Sequence, residues 1–144
     1  MPGLAAQAYA PAYQLSIHGA PPAQLTIATY GYMAHLARQA VSQLAYEQEI
    51  FVELVILTQL APFTLQPVLD SLKHTNRLLV VEEGTQALGW GAEVITQMAS
   101  ALGPRLLAVQ RLAALDSPIP ASGPLEGAIL PDLAGIIQAV KRMV

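Results

Sequence analysis

Apolar positions along this chain follow two alternating rhythms. Apolar or β-rich runs occur at 25–30, 50–57, 78–81 and 106–111, and the second of these is almost solidly apolar, interrupted only by Glu53. Between them, apolar residues recur three and four apart: Met33, Leu36, Ala37, Ala40, Val41 and Leu44, then Leu65, Val68, Leu69 and Leu72. Solid runs suit strands buried on both faces of a parallel sheet, and the wider spacing suits helices packed upon it. The pattern therefore predicts strands over those four runs and helices over 33–48, 64–74, 91–102 and 132–143. Residues 13–18 alternate apolar and polar, as a half-exposed edge strand does, and Gly-Ala-Pro-Pro stops them. The Pro- and Gly-rich stretch 116–131 predicts a loop, and residues 1–12 a linker or arm, leaving 13–144 as one domain. Repeated strand–helix–strand units define the expected fold class: α/β, three-layer and doubly wound, with a mostly parallel sheet and an antiparallel edge strand.

Open sheets of this kind bind ligands beyond the carboxyl ends of their strands, where the strand order reverses. Two segments fall there: Tyr30-Gly31-Tyr32, and Glu82-Glu83-Gly84-Thr85. Adjacent strand residues point to opposite faces, so Glu82 and Glu83 cannot both face one substrate unless the strand has already broken there. One of them is a candidate acid with a raised pKa. The plainer reading is that one orders the loop while the other is solvated, and we favour it. His35 follows the first parallel strand and is the one histidine placed to join such a crevice. His18 and His74 lie on other elements, and no metal-ligand spacing links the three. Gly89-Trp90-Gly91 opens a helix, but Val94 stands where the dinucleotide fingerprint needs a third glycine or alanine. Those glycines read better as permitting close helix packing. No serine elbow or phosphate loop occurs, so the chain offers a scaffold without a catalytic set.

Composition sharpens this picture. Charged residues make up 12% of the 144 residues, against roughly 25% in ordinary soluble domains, and the mean hydropathy is +0.44. No apolar run approaches the about 18 residues of a membrane span, so we expect no membrane partner. A parallel sheet covered on both faces accounts for part of the apolar content, and surface covered by a partner for the rest. A two-fold dimer is the expectation, with Gly89, Trp90 and Gly91 at or beside its interface. A net charge of −3 with scattered Lys and Arg excludes a nucleic-acid footprint. There is no cysteine, which suits a reducing compartment, and a cytoplasmic location is expected.

Several segments read in order carry a resemblance. They are Thr29-Tyr30-Gly31-x-Met33-x-His35, Leu60-x-Pro62-Phe63, Thr75-Asn76-Arg77 running through Val80-Val81-Glu82-Glu83-Gly84, and Gly89-x-Gly91-Ala92-Glu93-Val94. Asp116-x-Pro118-x-Pro120, Pro124-Leu125-Glu126 and Leu130-Pro131 complete the series. Their order and spacing resemble the C-terminal domain of the transketolase superfamily. The last group favours the β-subunit of thiamine-diphosphate-dependent pyruvate and branched-chain 2-oxoacid dehydrogenases.

The resemblance implies a sheet with 25–30 at its centre, and a domain that assembles an enzyme without catalysing anything alone. Thiamine diphosphate and Mg²⁺ would belong to the complete enzyme, held by pyrimidine- and diphosphate-binding domains or subunits, with no cofactor bound here. The implied partners are those domains, a second copy of the chain and an acyltransferase component. Relatives carry Asp-Leu-Arg where this chain has Ile56-Leu57-Thr58, so their ion pairs there cannot form. The alternative is a free-standing small-molecule or regulatory binding module that uses Tyr30, Gly31, His35, Glu82, Glu83 and Gly84.

Overall fold

A computed structural model describes residues 10–62, 64–118 and 121–144. The expected arm up to residue 9, and Phe63 and Pro120 of the motifs above, lie outside the described residues. The elements are β1 (Ala12–Leu15), β2 (Leu25–Thr29), α1 (Tyr32–Gln48), β3 (Val52–Leu57), α2 (Gln66–Thr75), β4 (Arg77–Thr85), α3 (Trp90–Leu102), β5 (Ala108–Ala114), α4 (Gly123–Ile129) and α5 (Leu133–Met143). One five-stranded sheet has the order β1-β3-β2-β4-β5. β2 lies at its centre and pairs parallel with β3 and β4, β5 adds parallel to β4, and β1 runs antiparallel along β3.

Strand alternation divides the core in two. Ile27, Leu79 and Val81 point to one face and meet Met33, Ala37 and Leu44 of α1 and Ile136 and Val140 of α5. Ala28, Leu78 and Val80 point to the other and meet Val68 and Leu72 of α2 and Val94, Met98 and Leu102 of α3. The buried hydroxyl of Thr26 is satisfied on this second face, 2.7 Å from both Ser71 Oγ and Thr75 Oγ1. Helix ends follow local chemistry. Gly31 supplies a φ of 61° before α1, and Asp132 Oδ1 accepts from Gly135 N–H at 2.7 Å to cap α5.

β4, expected over 78–81, runs from Arg77 to Thr85 and takes the expected loop 82–85 into the strand, and β3 begins at Val52 rather than at 50. Three further differences have local causes. The edge strand expected over 13–18 pairs only through Leu15. β5 begins at Ala108 rather than at 106, because Gly103–Arg105 forms a 3₁₀ turn and the Leu107 N–H donates to Asn76 O first. The loop expected over 116–131 contains α4. Its Pro124 stands in the first turn, where no intrahelical donor is needed, so this proline starts a helix rather than breaking one.

Candidate functional site

The carboxyl ends of β2 and β4 meet where the strand order reverses, and here a buried acid dominates. β4 continues to Thr85, so Glu82 and Glu83 stay on opposite faces; Glu82 is fully buried and Glu83 half-buried. Glu82 follows Leu78 and Val80 on the α3 side of the sheet. Its Oε1 accepts from the Gly91 N–H in the first turn of α3 at 3.0 Å, and from Arg111 Nη2 at 2.8 Å. Arg111 reaches it from β5, where register sets Arg111 beside Val80. A carboxylate thus sits at the positive end of a helix and against a guanidinium, which is how a buried charge is tolerated.

The glycines complete this arrangement by leaving room for it. A Cβ on Gly91 would lie 2.6 Å from Glu82 Oε1 and 2.7 Å from Val80 Cγ1. One on Gly89 would meet Thr85 O and come 2.5 Å from Arg111 Nη2, and one on Gly84 would lie 2.9 Å from Glu82 Oε2. The glycines at 84, 89 and 91 are therefore the packing surface of one ion pair. Arg111 Nε presses against Gly91 and is buried, with no hydrogen-bond acceptor among the described residues.

Arg111 also fastens the loop between β4 and α3. Its Nη1 donates to Gln86 O at 2.6 Å and its Nη2 to Thr85 O at 3.2 Å, while Asp116 Oδ1 accepts from Ala87 N–H at 2.8 Å. Leu88 stands at the tip of this fastened loop, fully exposed and at a φ of 57°. Tyr30 closes the crevice from the other side. Its ring meets Trp90 edge-on with centroids 5.0 Å apart, and its hydroxyl lies 3.5 Å from Glu82 Oε2. Burial, and then the neighbouring Glu82 carboxylate, push the Tyr30 phenol above its ordinary pKa.

The structure thus gathers Tyr30, Glu82, Gly84, Gly89, Trp90 and Gly91 into one cluster. Trp90 turns onto Tyr30 and packs against the core cluster of α2 and α3. Gly31 serves the backbone turn, with open space where a side chain would be. His35 is exposed on α1, bonded to Gln39 at 2.9 Å and beside the Tyr32 ring. It lines an open groove of about 780 Å³ between α1 and the segment after β1, with Ile17, Arg38 and Tyr46, and no described contact joins it to Glu82. Arg111 is the residue that sequence reasoning missed. Its signal was a lone cation inside an otherwise uncharged strand, which requires a partner. Among the described residues no group of three or more His, Asp or Glu side chains could hold a metal ion.

A doubly wound domain whose switch point is closed by its own ion pair is a scaffold in which helix and loop geometry are fixed from within. The family model for the transketolase C-terminal domain matches residues 19–136. The chain belongs to that family. It is 33% identical over 119 residues to the β-subunit of acetoin:2,6-dichlorophenolindophenol oxidoreductase of Cupriavidus necator, covering 82% of this chain and 35% of that one. It is 37% identical over 124 residues to the pyruvate dehydrogenase E1 component β-subunit of Porphyra purpurea, covering 83% and 36%. With the 2-oxoisovalerate dehydrogenase β-subunit of Pseudomonas aeruginosa the identity is 32% over 124 residues, covering 85% and 34%. The chain spans about a third of the length of these relatives. A split-gene transketolase, solved as an inactive β4 tetramer, has the same fold, with a TM-score of 0.75 at 20% identity over 94% of this chain and 43% of that one. Among the described residues no helix is long and apolar enough to cross a membrane.

Proposed function

We propose that this chain is the assembly domain of a thiamine-diphosphate-dependent 2-oxoacid dehydrogenase of the β-subunit type. It self-associates about a two-fold axis and joins pyrimidine- and diphosphate-binding partners that hold the cofactor and carry the chemistry. The observation that carries this reading is the closed state of the switch point. The one acid buried there has an oxygen bonded to a helix N–H and a guanidinium, both of its own scaffold. A carboxylate committed in this way orders the β4–α3 loop, and it is poorly placed to shuttle protons for a substrate.

The described residues at the switch point are a poor match to thiamine diphosphate and Mg²⁺. Glu82 fills the N-terminus of α3 that would otherwise receive a phosphate, and a diphosphate brought there would meet a buried carboxylate of like charge. Similarity to the three β-subunits supports the dehydrogenase setting, and the tetrameric split-gene transketolase supports self-association. Calorimetric titration of the 144-residue chain with thiamine diphosphate and Mg²⁺ tests this reading. We expect no saturable heat, and saturable binding at micromolar concentrations would overturn it.

A further inference from the structure

The sheet edge at β1 borders an open groove. Register sets Pro11 opposite Thr58, and the Thr58 N–H donates to Pro11 O. Bonded pairs alternate in an antiparallel ladder, so Tyr13 and Leu15 turn their backbone groups toward β3, while Ala12, Gln14 and Ser16 turn theirs outward. Outside the ladder, no backbone hydrogen bond among the described residues reaches those three outward positions. Natural edges are blunted by Lys, Pro or an inward charge, and β1, though short, holds none of these. Tyr13 and Leu15, two apart and so on one face, also remain exposed.

The groove of about 780 Å³ that His35 lines runs beside this edge, with Leu15, Ile17, Val41 and Leu54 as its apolar lining and α1 as its wall. From His35 to Glu47 it follows about 18 Å of helix, at ~1.5 Å per residue, which matches an extended strand of about five or six residues. α1 returns from the end of β2 to the start of β3, so Arg38, in its first half, stands toward the carboxyl end of the sheet. Arg38 lines the groove and is exposed, and no ion pair involves it among the described residues. Unpaired strand groups, an apolar trough and a cation thus lie side by side.

We infer that the β1 edge and this groove bind an extended peptide of another protein, added antiparallel to β1, with alternate apolar side chains in the groove and an acidic side chain on Arg38. The outward groups of Ala12, Gln14 and Ser16 supply the ladder, and the groove selects the side chains. β1 runs antiparallel to β3, away from the carboxyl end of the sheet. A strand antiparallel to β1 therefore finishes at the carboxyl end, which sets its acidic residue near its own C-terminus. This surface lies apart from Glu82 and is independent of the assembly role proposed above.

Fluorescence anisotropy of a fluorescein-labelled peptide amide, Thr-Val-Thr-Val-Thr-Glu, with the full chain tests it. The valines and the glutamate of this probe share one face of a strand, and we expect saturable binding at tens of micromolar. Gln14→Pro removes an outward N–H, leaves the β1–β3 ladder intact and should weaken binding at least tenfold. Arg38→Glu, at an exposed helix position, serves where Gln14→Pro fails to fold. It should weaken binding roughly tenfold, and the same peptide ending in Lys should recover to within about threefold of the parent pair. Absence of saturable binding, or binding that ignores both substitutions, would overturn the site. Self-association that Gln14→Pro abolishes, with no peptide bound, would give the edge to a second copy and overturn it as well.

Discussion

Replacing Gly91 by alanine sets two effects of known size against each other, with opposite signs. On helix propensity alone, alanine stabilises a helical position by about 0.8–1.0 kcal/mol relative to glycine. At Gly91 the added methyl would stand 2.6 Å from Glu82 Oε1, 2.7 Å from Val80 Cγ1 and 3.1 Å from Arg111 Nε. The first two have little room to retreat. Val80 is fully buried, and Glu82 is held by the very N–H of Gly91 and by Arg111. Overpacking of a filled site costs about 1–3 kcal/mol, and displacing Glu82 lengthens a charge-assisted hydrogen bond of about 1.5–3 kcal/mol. The unfavourable sum exceeds the propensity gain, and we expect a net loss of roughly 2–4 kcal/mol. Gly127, inside α4 with nothing near its would-be Cβ, is the control, and alanine there should stabilise by about 0.5–1 kcal/mol. Urea denaturation of both variants beside the parent measures the two effects. A Gly91→Ala protein as stable as the Gly127→Ala one would refute the claim that these glycines exist to admit the ion pair.

Other outcomes follow from the same cluster. Arg111→Met leaves Glu82 buried without its cation and should cost about 3–5 kcal/mol, lowering the melting temperature by roughly 10–20 °C. The Glu82→Gln/Arg111→Met double variant should recover part of that loss, and strict additivity in this cycle would contradict the pairing. Tyr30, with its folded pKa raised, is neutral in both states at neutral pH. Above pH ~10 the unfolded chain loses this proton first, so stability should fall as pH rises and then level off once the folded phenol ionises. Denaturation at pH 9 and 11 should show that decline reduced in Tyr30→Phe. Leu88→Gly relieves a left-handed leucine with no buried contact to lose and should be neutral or stabilising by up to about 1 kcal/mol, read from the same urea curves.

How legible these features were depends on how local their causes are. The central strands are plain because burial on both faces selects apolar and β-branched residues, as Leu-Thr-Ile-Ala-Thr at β2 and Leu-Leu-Val-Val within β4 display. An edge strand tolerates Gln110 and Arg111, so the apolar pattern of β5 is weaker and predicts a start at 106 where the strand begins at Ala108. α4 was hidden by Gly123, Pro124 and Gly127, which resemble loop residues until the first-turn position of the proline is known. At the candidate site, the sequence pointed to Glu82 and Glu83 as one partner in loop ordering and one more solvated residue, and separately to Gly89 and Gly91 as packing glycines. Their connection could not be read, because Arg111 lies twenty-nine residues from Glu82 and only the register between β4 and β5 brings them together. His35 does follow β2 closely, and on α1 it is exposed and bonded to Gln39.

We propose that this chain contributes assembly and no chemistry of its own, and reconstitution decides the matter. The chain should be mixed with pyrimidine- and diphosphate-binding polypeptides of a 2-oxoacid dehydrogenase from the same genome, in the presence of thiamine diphosphate and Mg²⁺. Dye reduction driven by 2-oxoacid and sedimentation should then be followed together. We expect co-sedimentation, with turnover that needs every component and survives Tyr30→Phe in this chain at nearly the parent rate. Turnover by this chain alone, or companion polypeptides that assemble and react equally well without it, would contradict the account.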